Sequence, residues 1–278
     1  MDAFLRYGKQ SRAERVYVFP GQGAQFVGMG KDLYEQFASA RELFDRADAI
    51  LDYPLSKVCF EGPEEELQKT SNTQPAIAVT SLALLRVATE VSPELLEQPG
   101  YVAGHSLGEY SALVAAGAMH FDDAVRLLRT RGQLMQDAGD QNPGTMAAIL
   151  GLDANDCEEI CRESGAELCN INAPGRIVIG GAKDAVVRAL DYAKARGAAK
   201  VIPLSVSGAF HSSLMKPAGD GMVQPVATAA IADPMIPVIA NCSAQPMHDE
   251  TSVRHELVDQ VCKPVQWSRR WNTWASRA

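Results

Sequence analysis

The sequence predicts an α/β protein, with a large domain on a parallel sheet and a small α+β subdomain inserted into it. Three observations carry this. Short apolar runs alternate with helix-length amphipathic stretches through the first half of the 278 residues. A serine stands between two glycines where one such run meets a helix. After Asn142-Pro143-Gly144 the texture changes to short strands separated by two helices, and it reverts near Ser207.

Taken in order, Val16-Tyr17-Val18-Phe19 reads as a buried strand closed by the turn Pro20-Gly21-Gln22-Gly23. Helical periodicity follows over Lys31 to Leu51 and Pro75 to Thr89, with Thr73 ahead of Gln74-Pro75 as a helix start. The lipophilic stretch Pro75 to Val87 holds Thr80, Ser81 and Arg86 and is too short for a bilayer. A buried helix is expected there, and no membrane association. Tyr101-Val102-Ala103 is the next strand, followed by helices over Glu109 to Ala118 and Asp122 to Asp137.

Residues 143–205 form the insert, and 1–142 with 206–278 form the large domain. In the insert, strands at Thr145 to Leu150, Arg176 to Ile179 and Lys200 to Val206 alternate with helices at Asp153 to Ser164 and Asp184 to Arg196. That is a split βαβ pattern. The large domain resumes with a strand at Ile236 to Ala240 and a helix at Ser252 to Val261.

Composition narrows the function classes. With 46% hydrophobic residues the chain can bury a substantial core. The six cysteines (Cys59, Cys157, Cys161, Cys169, Cys242, Cys262) form no C-x-x-C pair, which fits reduced thiols in a cytoplasmic protein. Met1 to Arg15 lacks the apolar core of a secretory signal. A net charge of −8 argues against nucleic acid as a partner. One stretch is basic: Arg176, Lys183, Arg188, Lys194, Arg196 and Lys200 face only Asp184 and Asp191. It reads either as a solvated helix face or as a dock for an acidic partner.

Gly104-His105-Ser106-Leu107-Gly108 has the layout of a nucleophile elbow, though an ordinary strand-loop-helix junction has similar residues. The glycines permit a tight turn that lifts the hydroxyl clear, and the following helix aims its first amides at charge developing beside it. The early loop Gly21-Gln22-Gly23-Ala24-Gln25-Phe26 has phenylalanine where a dinucleotide fingerprint needs its third glycine. A backbone N–H from that loop suits the second half of an oxyanion hole, the N–H after the serine being the first.

Among five histidines, His211 stands in a glycine-led loop after a strand-like run and is the candidate base, or else a loop histidine bonded to backbone. His105 adjoins the serine, and His120, His248 and His255 lie among polar residues with no zinc spacing. Arg131 falls in the centre of the apolar stripe Ala124, Leu127, Leu128, Leu134 and Met135. A guanidinium there needs a carboxylate, because an unpaired buried charge costs several kcal/mol. Glu109 or a substrate can supply it.

These residues resemble the malonyl-CoA:acyl carrier protein transacylases and the acyltransferase domains of polyketide synthases. The resemblance runs from about Val16 to Trp267. It rests on Phe19-Pro20-Gly21-Gln22-Gly23-Ala24-Gln25, Thr73-Gln74-Pro75-Ala76, and Gly104 to Ser111, then on Arg131-Gly132, Gly208-Ala209-Phe210-His211-Ser212 and Pro264-Val265-Gln266-Trp267.

The resemblance implies an α/β-hydrolase-like large domain with a ferredoxin-like insert. Ser106 would be the nucleophile, His211 its base, and the backbone N–H groups of Gln22 and Leu107 the oxyanion hole. Arg131 would hold the malonyl carboxylate, the Gln266 carbonyl would orient the histidine, and Phe210 would mark malonyl selectivity. The implied reaction takes malonyl from malonyl-CoA to an acyl carrier protein, with no metal or other cofactor. The basic stretch from Arg176 to Lys200 suggests that the carrier docks near 143–205, and a monomer is expected. The family pattern continues past Trp267 with a strand, a Gly-Pro-Gly turn and a closing helix, and this sequence stops at Ala278. The large sheet is therefore expected to lack an edge element. A serine esterase or thioesterase is the rival reading, and Arg131 separates the two. Fatty-acid and polyketide synthesis both remain open as the pathway.

Overall fold

Two sheets organise the chain, as the change of texture at Asn142 leads one to expect. The computed structural model describes residues 13–93 and 98–270. Residues 1–12, most of the stretch read as carrying no secretory signal, lie outside them. The elements run β1 (Ala13–Phe19), α1 (Lys31–Gln36), α2 (Ala38–Leu51), α3 (Leu55–Glu61), α4 (Glu64–Gln68) and α5 (Thr70–Val91). Next come β2 (Pro99–Gly104), α6 (Gly108–Ala115), α7 (Phe121–Gln141), β3 (Gly144–Leu150), α8 (Ala154–Ser164) and β4 (Glu167–Ala173). The remainder is β5 (Arg176–Ala182), α9 (Lys183–Ala195), β6 (Lys200–Leu204), α10 (Lys216–Thr228), β7 (Val238–Ile239), β8 (Pro246–Met247) and α11 (Glu250–Asp259).

The first sheet has the order β1-β2-β7-β8. β1, β2 and β7 are parallel and β8 is antiparallel, so the predicted α/β class with a parallel sheet holds. β1 and β2 lie in register from Val16 opposite Tyr101 to Phe19 opposite Gly104. The two loops that follow these strands therefore leave the sheet side by side, at its carboxyl edge. Among the described residues, no helix is long and apolar enough to cross a membrane. The lipophilic stretch from Pro75 belongs to α5, whose buried residues include Ile77, Val79, Leu82 and Leu85.

The second sheet has the order β4-β5-β3-β6, antiparallel throughout, with α8 and α9 supplying the βαββαβ connectivity of the split βαβ pattern. Ile149, Ile177 and Ile179 from the sheet pack on Ile160, Val186 and Ala189 from the helices. The alternation along β3 and β5 turns Leu150 and Arg176 to the other face. β4 is an addition to the sequence reading. Asn170 and Asn172 break its apolar pattern, and the register shifts between Leu168 and Asn170 and again between Ile171 and Ala173.

The chain divides into two compact units. One comprises residues up to Gln133 with Ala227–Ala240 and Pro246–Arg254, and contains the parallel sheet. The other comprises Leu134–Val226, Asn241–Gln245 and His255 onward, and contains the antiparallel sheet. Several helix boundaries differ from expectation, and α7 runs on to Gln141. Phe37 adopts an extended backbone (φ −124°, ψ 122°), which splits the first expected helix so that α2 alone buries Leu43 and Phe44. α6 ends before Gly117, whose φ of 70° suits glycine. α5 starts at Thr70, which places Pro75 inside the helix.

All six cysteines are free. Burial raises the thiol pKa to about 12 at Cys59, about 11 at Cys157 and about 12 at Cys161. Thiolate is the reactive form, so these thiols are held inert. Labelling the native protein with a thiol reagent near pH 8 should modify the half-exposed Cys242 and Cys262 first. Fast modification of more than two thiols would contradict this burial.

Candidate active site

The elbow at Ser106 exists because no side chain fits at Gly104 or Gly108. A Cβ on Gly104 would lie 1.9 Å from the Gly108 backbone, and one on Gly108 would lie 2.6 Å from the Phe19 and Pro20 carbonyl oxygens. Between them Ser106 adopts a left-handed backbone with φ 52°. Such a conformation costs a non-glycine residue of order 1–3 kcal/mol and persists only where its surroundings impose it. Here the His105 N–H donates to Phe19 O at 3.0 Å, Gly108 N–H to His105 O at 2.9 Å, and Glu109 N–H to Ser106 O at 3.1 Å. Ser106 is thereby fixed at the N-terminal end of α6, where the first amides have no intrahelical acceptor.

The loop after β1 closes on the same point. A Cβ on Gly21 would lie 2.7 Å from His105 O and 2.8 Å from His105 Nδ1. Gln22 follows on the exposed side of that loop, and Leu107 is buried as the residue capping α6. The two backbones expected to share an oxyanion thus lie on adjacent turns at one sheet edge.

Arg131 reaches the serine. It is fully buried, as its place in the apolar stripe requires, and Arg126 is exposed. Its Nη2 donates to Ser106 Oγ at 3.0 Å and its Nη1 to Gln74 Oε1 at 2.7 Å. Burial lowers the guanidinium pKa, while Tyr110 and the fully buried Glu109 oppose that shift. Gly132 is what lets the helices approach, since a Cβ there would lie 2.6 Å from Ser71 Cα and Thr70 O. Pro75 has no N–H for Ser71 O, four residues earlier, and that carbonyl accepts instead from Arg129 Nη1 at 3.1 Å. The motifs around Thr73-Gln74-Pro75 and Arg131-Gly132 are therefore one helix crossing. The role of Gln74 was missed at the sequence level, where its motif stood without a function.

His211 belongs to the second unit. It is buried, with φ 62°, and its Nδ1 lies 2.7 Å from Gln260 O. A carbonyl only accepts, so Nδ1 carries the hydrogen and Nε2 is left as the acceptor. Phe210 is buried beside it. His120, His248 and His255 are exposed and His105 is half-buried. The expected role of Gln266 is corrected here. Its backbone N–H donates to Asn241 O at 2.8 Å, and the carbonyl on the histidine is that of Gln260, six residues earlier at the end of α11.

The acyl transferase domain profile matches residues 16–273. The malonyl CoA-acyl carrier protein transacylase of Bacillus subtilis (strain 168) is 46% identical over 261 residues, 92% of this chain and 81% of the relative. The chain belongs to this acyltransferase family. Its fold is the family's: an acyl carrier protein S-malonyltransferase from Vibrio cholerae superposes with a TM-score of 0.90 at 40% identity, covering 95% of this chain and 87% of the other. A second solved transacylase, held in complex with a type II PKS acyl-carrier protein, gives 0.89 at 40% identity, with 94% and 85% covered. The relatives' transacylase names agree with an elbow serine hydrogen-bonded to a buried arginine, which a general esterase does not need.

Proposed function

We infer that the protein transfers malonyl from malonyl-CoA to the phosphopantetheine thiol of an acyl carrier protein, through a malonyl ester on Ser106, in fatty-acid biosynthesis. The observation that carries this reading is the buried Arg131 guanidinium 3.0 Å from the Ser106 hydroxyl. A fixed cation there recognises an acyl group that ends in a carboxylate, two-pronged and charge-assisted.

In the first half-reaction, His211 Nε2 takes the Ser106 proton as Oγ bonds to the thioester carbon. The Gln22 and Leu107 N–H groups hold the oxyanion. Collapse breaks the carbon–sulfur bond, and His211 returns its proton to the departing CoA sulfur. The carrier thiol then repeats these steps on the malonyl-serine ester and regenerates the hydroxyl. Every step is redox-neutral, so the reaction balances without a metal or other cofactor. We place it in the cytoplasm, in line with the six free thiols, in a monomer.

Carrier docking belongs on the 143–205 subdomain, on a smaller patch than charge counting suggested. Arg188 pairs with Asp184, Lys194 with Asp191, and Arg196 with Glu159 and Glu163. Among the described residues, Arg176 and Lys200 have no ion pair, and both lie opposite Leu150, flanking it on one face of the sheet. A panel of phosphopantetheinylated carriers incubated with malonyl-CoA tests the function, and failure to charge any of them overturns it. On a carrier that is charged, Arg176→Glu with Lys200→Glu should slow transfer about tenfold at low salt and flatten its salt dependence. Malonyl-enzyme formation should hardly change. Equal loss in both half-reactions would move the dock elsewhere.

A further inference from the structure

Glu256 is a buried carboxylate that acyl transfer does not use. It lies on α11, one turn before Gln260, and is only 8% exposed. Its Oε1 accepts from the Cys242 N–H at 2.7 Å, and its own carbonyl accepts from the Gln260 N–H at 2.8 Å. The Asn241 carbonyl, next to Cys242, accepts from Gln266 N–H at 2.8 Å. The neighbouring Val265 is tied to the antiparallel sheet, donating to Cys169 O at 2.8 Å and accepting from Ile171 N–H at 2.9 Å. The Asn241–Cys242 loop is therefore bonded both to Glu256 on α11 and to the segment beyond it at Gln266, and the carbonyl of Gln260, one turn after Glu256, faces His211 Nδ1 at 2.7 Å.

We propose that Glu256 is a positioning residue for His211, clamping the Asn241–Cys242 loop onto α11 and so fixing the direction of the Gln260 carbonyl. The charged and titratable groups facing it are Arg270 from the segment after Trp267, Lys263 beyond α11, and Cys242. Burial raises the Glu256 carboxyl pKa, and the Cys242 hydrogen bonds and Arg270 pull it back. The link to catalysis rests on His211 being the base of the reaction proposed above, whereas the link to the histidine's orientation stands on the hydrogen bonds alone.

The test separates the two. On histidine-labelled full-length protein, the His211 Nδ1–H proton resonance is assigned by its loss in His211→Asn. In Glu256→Ala that resonance should broaden or shift upfield, and malonyl-enzyme formation should slow about ten- to a hundredfold through kcat with KM held. The acid limb of the pH–rate profile should shift with it. Glu256→Gln keeps an oxygen for the Cys242 N–H and should restore the resonance and most of the rate. If Glu256→Ala does not fold, Glu256→Asp, which withdraws the carboxylate by one methylene, carries the same expectation. An unchanged His211 resonance and pH profile beside a lowered Tm would overturn the proposal and leave Glu256 a packing residue. A changed resonance with an unchanged rate would keep the clamp and overturn His211 as the base.

Discussion

Ser106→Ala should form no malonyl-enzyme and should lose roughly 10⁴–10⁶ in turnover, the largest effect expected of any single change in this chain. The elbow makes this a clean deletion. Alanine meets the same backbone demand at φ 52° as serine does, and the hydrogen bonds that hold the turn run between backbone atoms of Phe19, His105, Ser106, Gly108 and Glu109. Arg131 gives up one acceptor and keeps Gln74 at 2.7 Å. The variant should therefore melt within a few degrees of the parent, which a thermal scan checks. Intact-protein mass spectrometry after incubation with malonyl-CoA reads the adduct. An adduct at the parent's stoichiometry would remove Ser106 from the reaction, whatever the fate of turnover.

The elbow was legible because its constraint is steric and local. Gly104 and Gly108 face backbone atoms at 1.9 and 2.6 Å, and only one residue type survives such contacts. Arg131 was legible because helical periodicity placed a charge inside an apolar stripe, and its complete burial follows from that placement. Gln260 was not legible. It contributes a backbone carbonyl, and every residue has one, so no side chain marks the position; the resemblance led to Gln266 instead. α10 was hidden for a different reason. Pro217, Gly219, Gly221 and Pro225 are poor helix formers and gave no helical signal, yet a Cβ on Gly219 would lie 2.8 Å from Cys262 Sγ and one on Gly221 would lie 2.8 Å from Leu134. Close packing demands those glycines against their helix propensity. The basic stretch misled because a local count cannot include Glu159 and Glu163, which come from α8 to pair with Arg196.

Arg131→Ala should shift the acyl preference of the enzyme from malonyl towards acetyl while leaving its nucleophile in place. The guanidinium is fully buried, and it is held on Gln74 and Ser106, in register with the serine that would carry the acyl group. Removing a charged hydrogen-bond pair to the malonyl carboxylate costs about 1.5–3 kcal/mol, or about one to two powers of ten in kcat/KM for malonyl-CoA. Acetyl-CoA has no carboxylate, so it loses only what the serine itself loses when its Arg131 donor goes. That shared loss cancels in the ratio of the two kcat/KM values, which makes the ratio the quantity to measure. Arg131→Lys keeps a charge without the two-pronged geometry and should fall between the parent and the alanine variant. A purely structural arginine, neutralised by Glu109, predicts another pattern: a lower Tm and equal losses for both acyl groups. Equal losses on folded protein would end the carboxylate-clamp reading and with it the main distinction from an esterase. A malonyl-to-acetyl ratio reduced ten- to a hundredfold would instead place the recognition of malonyl on this one side chain.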